Sequence, residues 1–222
     1  MQIDFERKEI QLKVVYYGPG LSGKTTNLIY IHKICSPCNR GRLMTLETRD
    51  DRTLFFDLLP IRFESASGLS IAIKLFTVPG QVIHNATRKL VLQGADAVAF
   101  IADSQLAEIR NNQESFINLK ENLKENGLDL KQMPLVIQFN KRDLPSIRSD
   151  AEIDAMAARG REPVYKATAV QGDGVVETLL GLLDITWKHL DEVHNLTAKF
   201  GMEGMRLMHT LRSQLSDCRE RT

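Results

Sequence analysis

Apolar residues along this chain gather into two kinds of stretch. They dominate Ile10–Tyr17, Ala95–Ala102 and Pro134–Phe139, runs with the length of a strand rather than a helix. Such runs predict strands buried on both faces, as in a parallel sheet. Ser70–Val78 alternates in part and predicts a further strand, with Gly68 in Ser65-Ala-Ser-Gly68 marking the hairpin turn before it. Leu54–Phe63 is apolar and aromatic but carries Pro60, which predicts an edge strand with a break. Val164–Ala167 is the last predicted strand. Helices are expected over Lys24–Ile34, Val82–Gln93, Gln105–Asn126, Asp150–Arg159 and Val175–Val193. Ser36-Pro37 ends the first of them, and Gly127 stops the third. Ser149 or Asp150 caps the start of the fourth, and Gly160 follows its end. Residues 36–53 are polar, without a clear period, and predict a mobile loop. The alternation predicts an α/β fold, a mostly parallel six-stranded sheet with helices on both faces, and ligands at the carboxyl ends of its strands.

Beyond residue 193 the pattern changes. Met205, Met208, Leu211 and Leu215 recur at helical spacing, with arginines between them. A helix folded back on the domain, or a partner-binding helix, suits this stripe better than a membrane-surface helix, because its charge is mixed. The expected division is therefore a domain over 8–193 and a helical extension over 194–222.

Charge adds exclusions. Lys+Arg (29) nearly cancels Asp+Glu (28), which gives no electrostatic case for nucleic acid or an anionic membrane. No run of apolar residues is long enough to span a bilayer. The N-terminal residues do not read as a secretion signal, and Gln2 stands where myristoylation needs glycine. Cys218 lies one place too early for a prenylation box. The expectation is a soluble cytoplasmic protein whose membrane or polar-cluster contacts run through partners. Cys35 and Cys38 form a C-x-x-C with no second pair, and His32 nearby is a weak ligand. A reduced thiol pair in a loop is favoured over metal or redox chemistry.

The chemistry-bearing element lies between the first strand and the first helix. Gly18-Pro19-Gly20-Leu21-Ser22-Gly23-Lys24-Thr25 has the form G-x-x-x-x-G-K-[ST]. Glycines let successive N–H groups turn inward on phosphate oxygens, and the helix N-terminus adds partial positive charge. Lys24 is expected on the β- and γ-phosphates, the Thr25 hydroxyl on Mg²⁺, and Thr26 within reach of the nucleotide. After the strand at 134–139 comes Asn140-Lys141-Arg142-Asp143. The Asp143 carboxylate can accept from both donors of a guanine edge, which adenine lacks. The Lys141 stem can lie along the base, and Asn140 can tie this loop to the phosphate loop. Thr168 and Ala169, after the last strand, are compatible with base contacts. After the third strand, Thr77-Val-Pro-Gly80-Gln81 stands where small GTPases have D-x-x-G-Q. Gly80 is expected to offer its N–H to the γ-phosphate and Gln81 to orient water. Thr77 replaces the usual acid, and Asp57 is the candidate outer-shell substitute. In the 36–53 loop, Thr53 is the expected Mg²⁺ ligand, with Thr48 second. Arg52 reads either as an arginine finger in cis or as a solvated residue paired with Asp50 or Asp51.

Together Tyr16–Leu28, Asp51-Arg-Thr-Leu-Phe-Phe-Asp57, Thr77–Gln81 and Asn140–Pro145 resemble the bacterial Ras-like small GTPases of the MglA type, known for gliding motility and cell polarity. The resemblance covers residues 8 to about 190, and Thr77 is itself typical of that family. It implies the P-loop small-GTPase fold, GTP or GDP as bound nucleotide with Mg²⁺, and slow hydrolysis. It also implies Arg52 as intrinsic finger, Thr53 on Mg²⁺ and Gln81 positioning water. The implied activator is a roadblock-type homodimer (MglB-like) that remodels the switch loops without inserting an arginine, and the strand after the loop slides between nucleotide states. Polarity or motility effectors follow as partners. The C-x-x-C and the tail depart from the family pattern. A GTP-bound scaffold with negligible hydrolysis is the second reading. A P-loop kinase is the third, and Asn140–Asp143 argues against it.

Overall fold

The computed structural model describes residues 1–4, 6–46, 56–65, 68–80, 84–201 and 204–216. The elements run β1 (Gln2–Asp4), β2 (Glu9–Tyr17), α1 (Lys24–Ile34), β3 (Met44–Leu46), β4 (Phe56–Glu64), β5 (Ser70–Thr77), α2 (Asn85–Leu92), β6 (Ala97–Asp103), α3 (Ile109–Glu125), β7 (Leu135–Asn140), α4 (Asp150–Arg159), β8 (Val164–Lys166), α5 (Val175–His194), α6 (Leu196–Phe200) and α7 (Gly204–Ser216). The sheet order is β3-β4-β5-β2-β6-β7-β8, with β1 paired to the start of β2. β2, β5, β6, β7 and β8 are parallel; β1 and β4 run the other way, and β3, antiparallel to β4, points with the parallel set.

Among the described residues the sheet has eight strands rather than the expected six. β1 and β3 are three-residue strands, too short to show a hydrophobic period, and they form because β2 and β4 offer them partners. Pro60 does not break β4. Its carbonyl accepts from Gly41 N–H at 2.8 Å, so the side of the residue that lacks a donor faces away from β5. A proline so placed removes no rung of the β4–β5 ladder. The expected helix from Gln105 begins instead with a 3₁₀ turn at Leu106–Glu108, and α3 proper starts at Ile109. Ser149 settles the cap of α4: its hydroxyl accepts from Glu152 N–H while Glu152 accepts from Ser149 N–H.

β6 explains the continuous apolar runs. Ala97, Ala99 and Ile101 join one core, and Val98, Phe100 and Ala102 join the other. The first core lies under α1, α5 and α7; the second lies under α2, α3 and α4. In the tail, Leu207, Leu211 and Leu215 are buried in the first core, with Met208 packed beside them. Each full burial of such a side chain stabilises by about 1.5–3 kcal/mol. Gln214 also donates to the carbonyl of Glu64 at 3.0 Å, fastening α7 to the far end of β4. The described tail is thus a helix folded back on the sheet. No described helix is long and apolar enough to cross a membrane.

Candidate functional site

The parallel strands present their carboxyl ends on one side, where the phosphate-loop sequence links β2 to α1. Gly23 has φ +97°, and a Cβ there would stand 2.1 Å from Asn140 Nδ2, so only glycine fits. Gly80 lies directly on the loop: a Cβ on it would come within 2.3 Å of Gly20 Cα. Gly18 and Pro19 are buried beneath the loop, and Leu21 projects outward with φ +60°. Ser22 is fully buried, and its hydroxyl has no hydrogen-bond partner among the described residues. Lys24 is buried too, its Nζ donating to the carbonyls of Gly18 (3.0 Å) and Pro19 (2.6 Å). Burial lowers its pKa to about 7; Arg88 pushes the same way and Asp57 opposes.

A cleft of about 450 Å³ opens over Lys24, Thr25, Asp57, Thr77 and Gly80. Asp57, near the start of β4, is its centre of charge. Thr25 donates to Oδ2 at 2.6 Å, Thr77 to the same oxygen at 2.8 Å, and Thr45 to Oδ1 at 2.9 Å. The Asp57 N–H in turn donates to Thr77 Oγ1 at 2.8 Å. Thr77 therefore hands its hydroxyl to a carboxylate from the neighbouring strand, at the place where an acid was missing. The set is all hard oxygen donors, the type that suits Mg²⁺, which keeps several waters and takes few protein ligands. Among the described residues no three His, Cys, Asp or Glu side chains converge, so Asp57 is the acid of this cluster. Thr26 is half-buried behind Thr25.

The loops after β7 and β8 are tied to the phosphate loop through one side chain. Asn140 Nδ2 donates to Ser22 O at 2.8 Å, and Asn140 Oδ1 accepts from Ala169 N–H at 2.9 Å. Thr168 is buried beside it, its N–H donating to Asp173 O. Lys141 holds φ +67°, and its Nζ meets Asp103 Oδ2 at 2.6 Å. Asp143 is exposed at the rim. Arg52, Thr53, Thr48 and Gln81 lie outside the described residues.

Sequence reasoning missed Asp103, Thr45 and Arg88. Arg88, on α2, is fully buried with its guanidinium 6.0 Å from the Tyr17 ring centre, just before the phosphate loop. Asp103 ends a strand at the ligand-binding edge, a weak signal until its pairing with Lys141 is seen; Thr45 and Arg88 gave none.

No protein-family profile matches the chain. Among curated proteins it is similar to the mutual gliding-motility protein MglA of Myxococcus xanthus (strain DK1622), with 48% identity over 177 residues that span 80% of this chain and 91% of that protein. Similarity of that depth across most of both lengths means a shared fold, and it agrees with a sheet whose phosphate loop, Asn140 tie and Thr77 all stand where the motifs placed them. The chain belongs to the MglA-type family of Ras-like small GTPases.

Proposed function

We propose that the chain is a nucleotide-dependent switch that binds guanine nucleotide with Mg²⁺ and hydrolyses GTP to GDP and phosphate, in the service of gliding motility or cell polarity. The observation that carries this reading is the double hydrogen bond of Asn140. It makes the phosphate loop, the Asn140–Asp143 loop and the Thr168–Ala169 loop one unit, as a ligand with a polyphosphate at one end and a base at the other requires.

In this reading Gly18 to Thr26 cradle the phosphates, and Lys24 turns its ammonium from the Gly18 and Pro19 carbonyls to phosphate oxygens. Asp143 accepts from the guanine edge, and Thr168 and Ala169 border the base. Thr25 is the hydroxyl ligand of Mg²⁺, with Thr53 joining it when GTP is present. Asp57 acts from the outer shell, in place of the acid that Thr77 replaces. When bound, Mg²⁺ supplies charge stabilisation to the transferring phosphoryl group. Gly80 offers its N–H to the γ-phosphate, Gln81 orients water, and Arg52 neutralises charge from within the chain. Those last two roles rest on the family resemblance. Thr77 and the Ala167-Thr168-Ala169 element are the features that favour a non-hydrolysing scaffold, and the carboxylate that Thr77 borrows from Asp57 weighs against the first of them.

A roadblock-type homodimer (MglB-like) is the expected activator, and motility or polarity proteins are the expected effectors. The test is single-turnover GTP decay, with and without such a partner. Slow decay alone, of about 10⁻⁴ to 10⁻² s⁻¹, that the partner accelerates supports the switch. A flat time course in both conditions leaves the scaffold.

A further inference from the structure

Asp103 closes β6 and is 3% exposed. Both carboxylate oxygens are engaged: Oδ1 accepts from Gln105 N–H at 3.0 Å, and Oδ2 faces Lys141 Nζ at 2.6 Å. Its main chain is held as firmly. Asn112 of α3 accepts from Asp103 N–H at 2.9 Å and donates to Asp103 O at 2.8 Å. Next to it, Ser104 N–H donates to Asn140 O at 2.9 Å, and Arg148 N–H donates to Ser104 O at 2.9 Å. The acid therefore cannot shift relative to the loop that follows β7. Lys141 departs from that loop with left-handed backbone, and its side chain borders the same cleft as Pro19 and Gly20.

We infer that Asp103 is a positioning residue for the nucleoside base, acting through Lys141. This rests on the guanine-nucleotide reading above. A lysine stem free in water loses rotamer freedom when a ring settles against it, which weakens binding. A stem tethered at both ends, by its own backbone and by a buried carboxylate, has lost that freedom already. The pairing also neutralises the ammonium, so Lys141 serves the base as an apolar stem rather than the phosphates as a charge. Removing only Lys141 strands a buried carboxylate, whereas Asp103→Asn leaves a partly exposed lysine that water can solvate.

A double-mutant cycle on the full chain tests this, following release of fluorescent GDP in the presence of Mg²⁺ from wild type, Asp103→Asn, Lys141→Met and the double variant. Asp103→Asn is expected to speed release about three- to tenfold when Lys141 is present. In the Lys141→Met background it should change release by less than about twofold, because the residue it acts through has gone. An equal factor in both backgrounds would mean that Asp103 only braces β6, and overturns the inference alone. Wild-type protein that holds ADP as well as GDP overturns the guanine reading and the inference together. A measurement on wild type covers the case of variants that do not fold. A tethered Lys141 ammonium should give a slowly exchanging ¹⁵N-lysine signal, assigned by its loss in Lys141→Arg. A signal averaged with solvent-exposed lysines overturns the inference.

Discussion

The two ends of this sheet are held by different forces. At the carboxyl ends of the parallel strands, polar side chains cross between elements: Asn140 to Ser22 and Ala169, Asp57 to Thr25, Thr45 and Thr77, Asp103 to Lys141. At the amino ends, Leu207, Leu211 and Leu215 of α7 enter the core with Ile10, Phe63, Leu69 and Ile71. Hydrogen bonds fix distance and angle, whereas apolar burial fixes only proximity. The first suits a pocket that must present donors to a charged ligand, and the second suits a helix that only has to stay down. Geometry and adhesion are thus assigned to opposite ends.

That division can be broken by experiment. The largest effect is expected from two residues outside the described set. Arg52→Ala or Gln81→Ala should slow GTP turnover by about 10³-fold while leaving GTP affinity intact. Normal hydrolysis by Arg52→Ala, in single-turnover assays, removes the finger in cis. Next comes Leu211→Ala at the other end. It should cost about 2–5 kcal/mol in urea denaturation, because a fully buried leucine leaves a cavity. GDP release should stay within about twofold of wild type, since the cavity is remote from the polar cross-links at the carboxyl ends of the parallel strands. A variant that drops its nucleotide would show that the two ends are one cooperative machine.

Asp57→Asn should weaken Mg²⁺-dependent nucleotide retention about 10- to 100-fold, the usual range for an outer-shell partner. Magnesium titration of GDP release reads this directly, and an unchanged midpoint returns the metal to another acid. A further effect concerns pH. Lys24 titrates near 7 in the folded chain and near 10.5 when unfolded. Between those values the unfolded chain binds more protons, so the stability of nucleotide-free protein should rise as pH climbs from about 7 to 10. GDP favours the ammonium and should flatten or reverse that slope. Melting curves with and without GDP across this range check the sign.

How much of this was legible beforehand follows the same division. The phosphate loop, the Asn140–Asp143 loop, a cap for α4 at Ser149 or Asp150 and the buried strands all announce themselves within a few residues of chain. The fold-back helix was visible as a stripe, but its register was not. Leu207 is a core residue that the stripe omitted, because a helix chooses its face only when α5 and α1 are there to receive it. Asp57 could be named as a candidate, while its three hydroxyl donors arrive from three separate elements. Asp103 went unnoticed because one acid at a strand end is ordinary, and its meaning depends on a lysine from the adjoining strand's loop. β3 could not be read from three residues whose structure is supplied by β4.

Pro60 leaves a last consequence. On the outward side of β4 it presents an acceptor already taken by Gly41 and no donor at all, and Arg62 N–H beside it is already given to Asn39 O. A stray strand approaching this rim finds nothing to zip onto. Over this stretch of β4, beyond its pairing with β3, the backbone is already closed to edge-to-edge pairing.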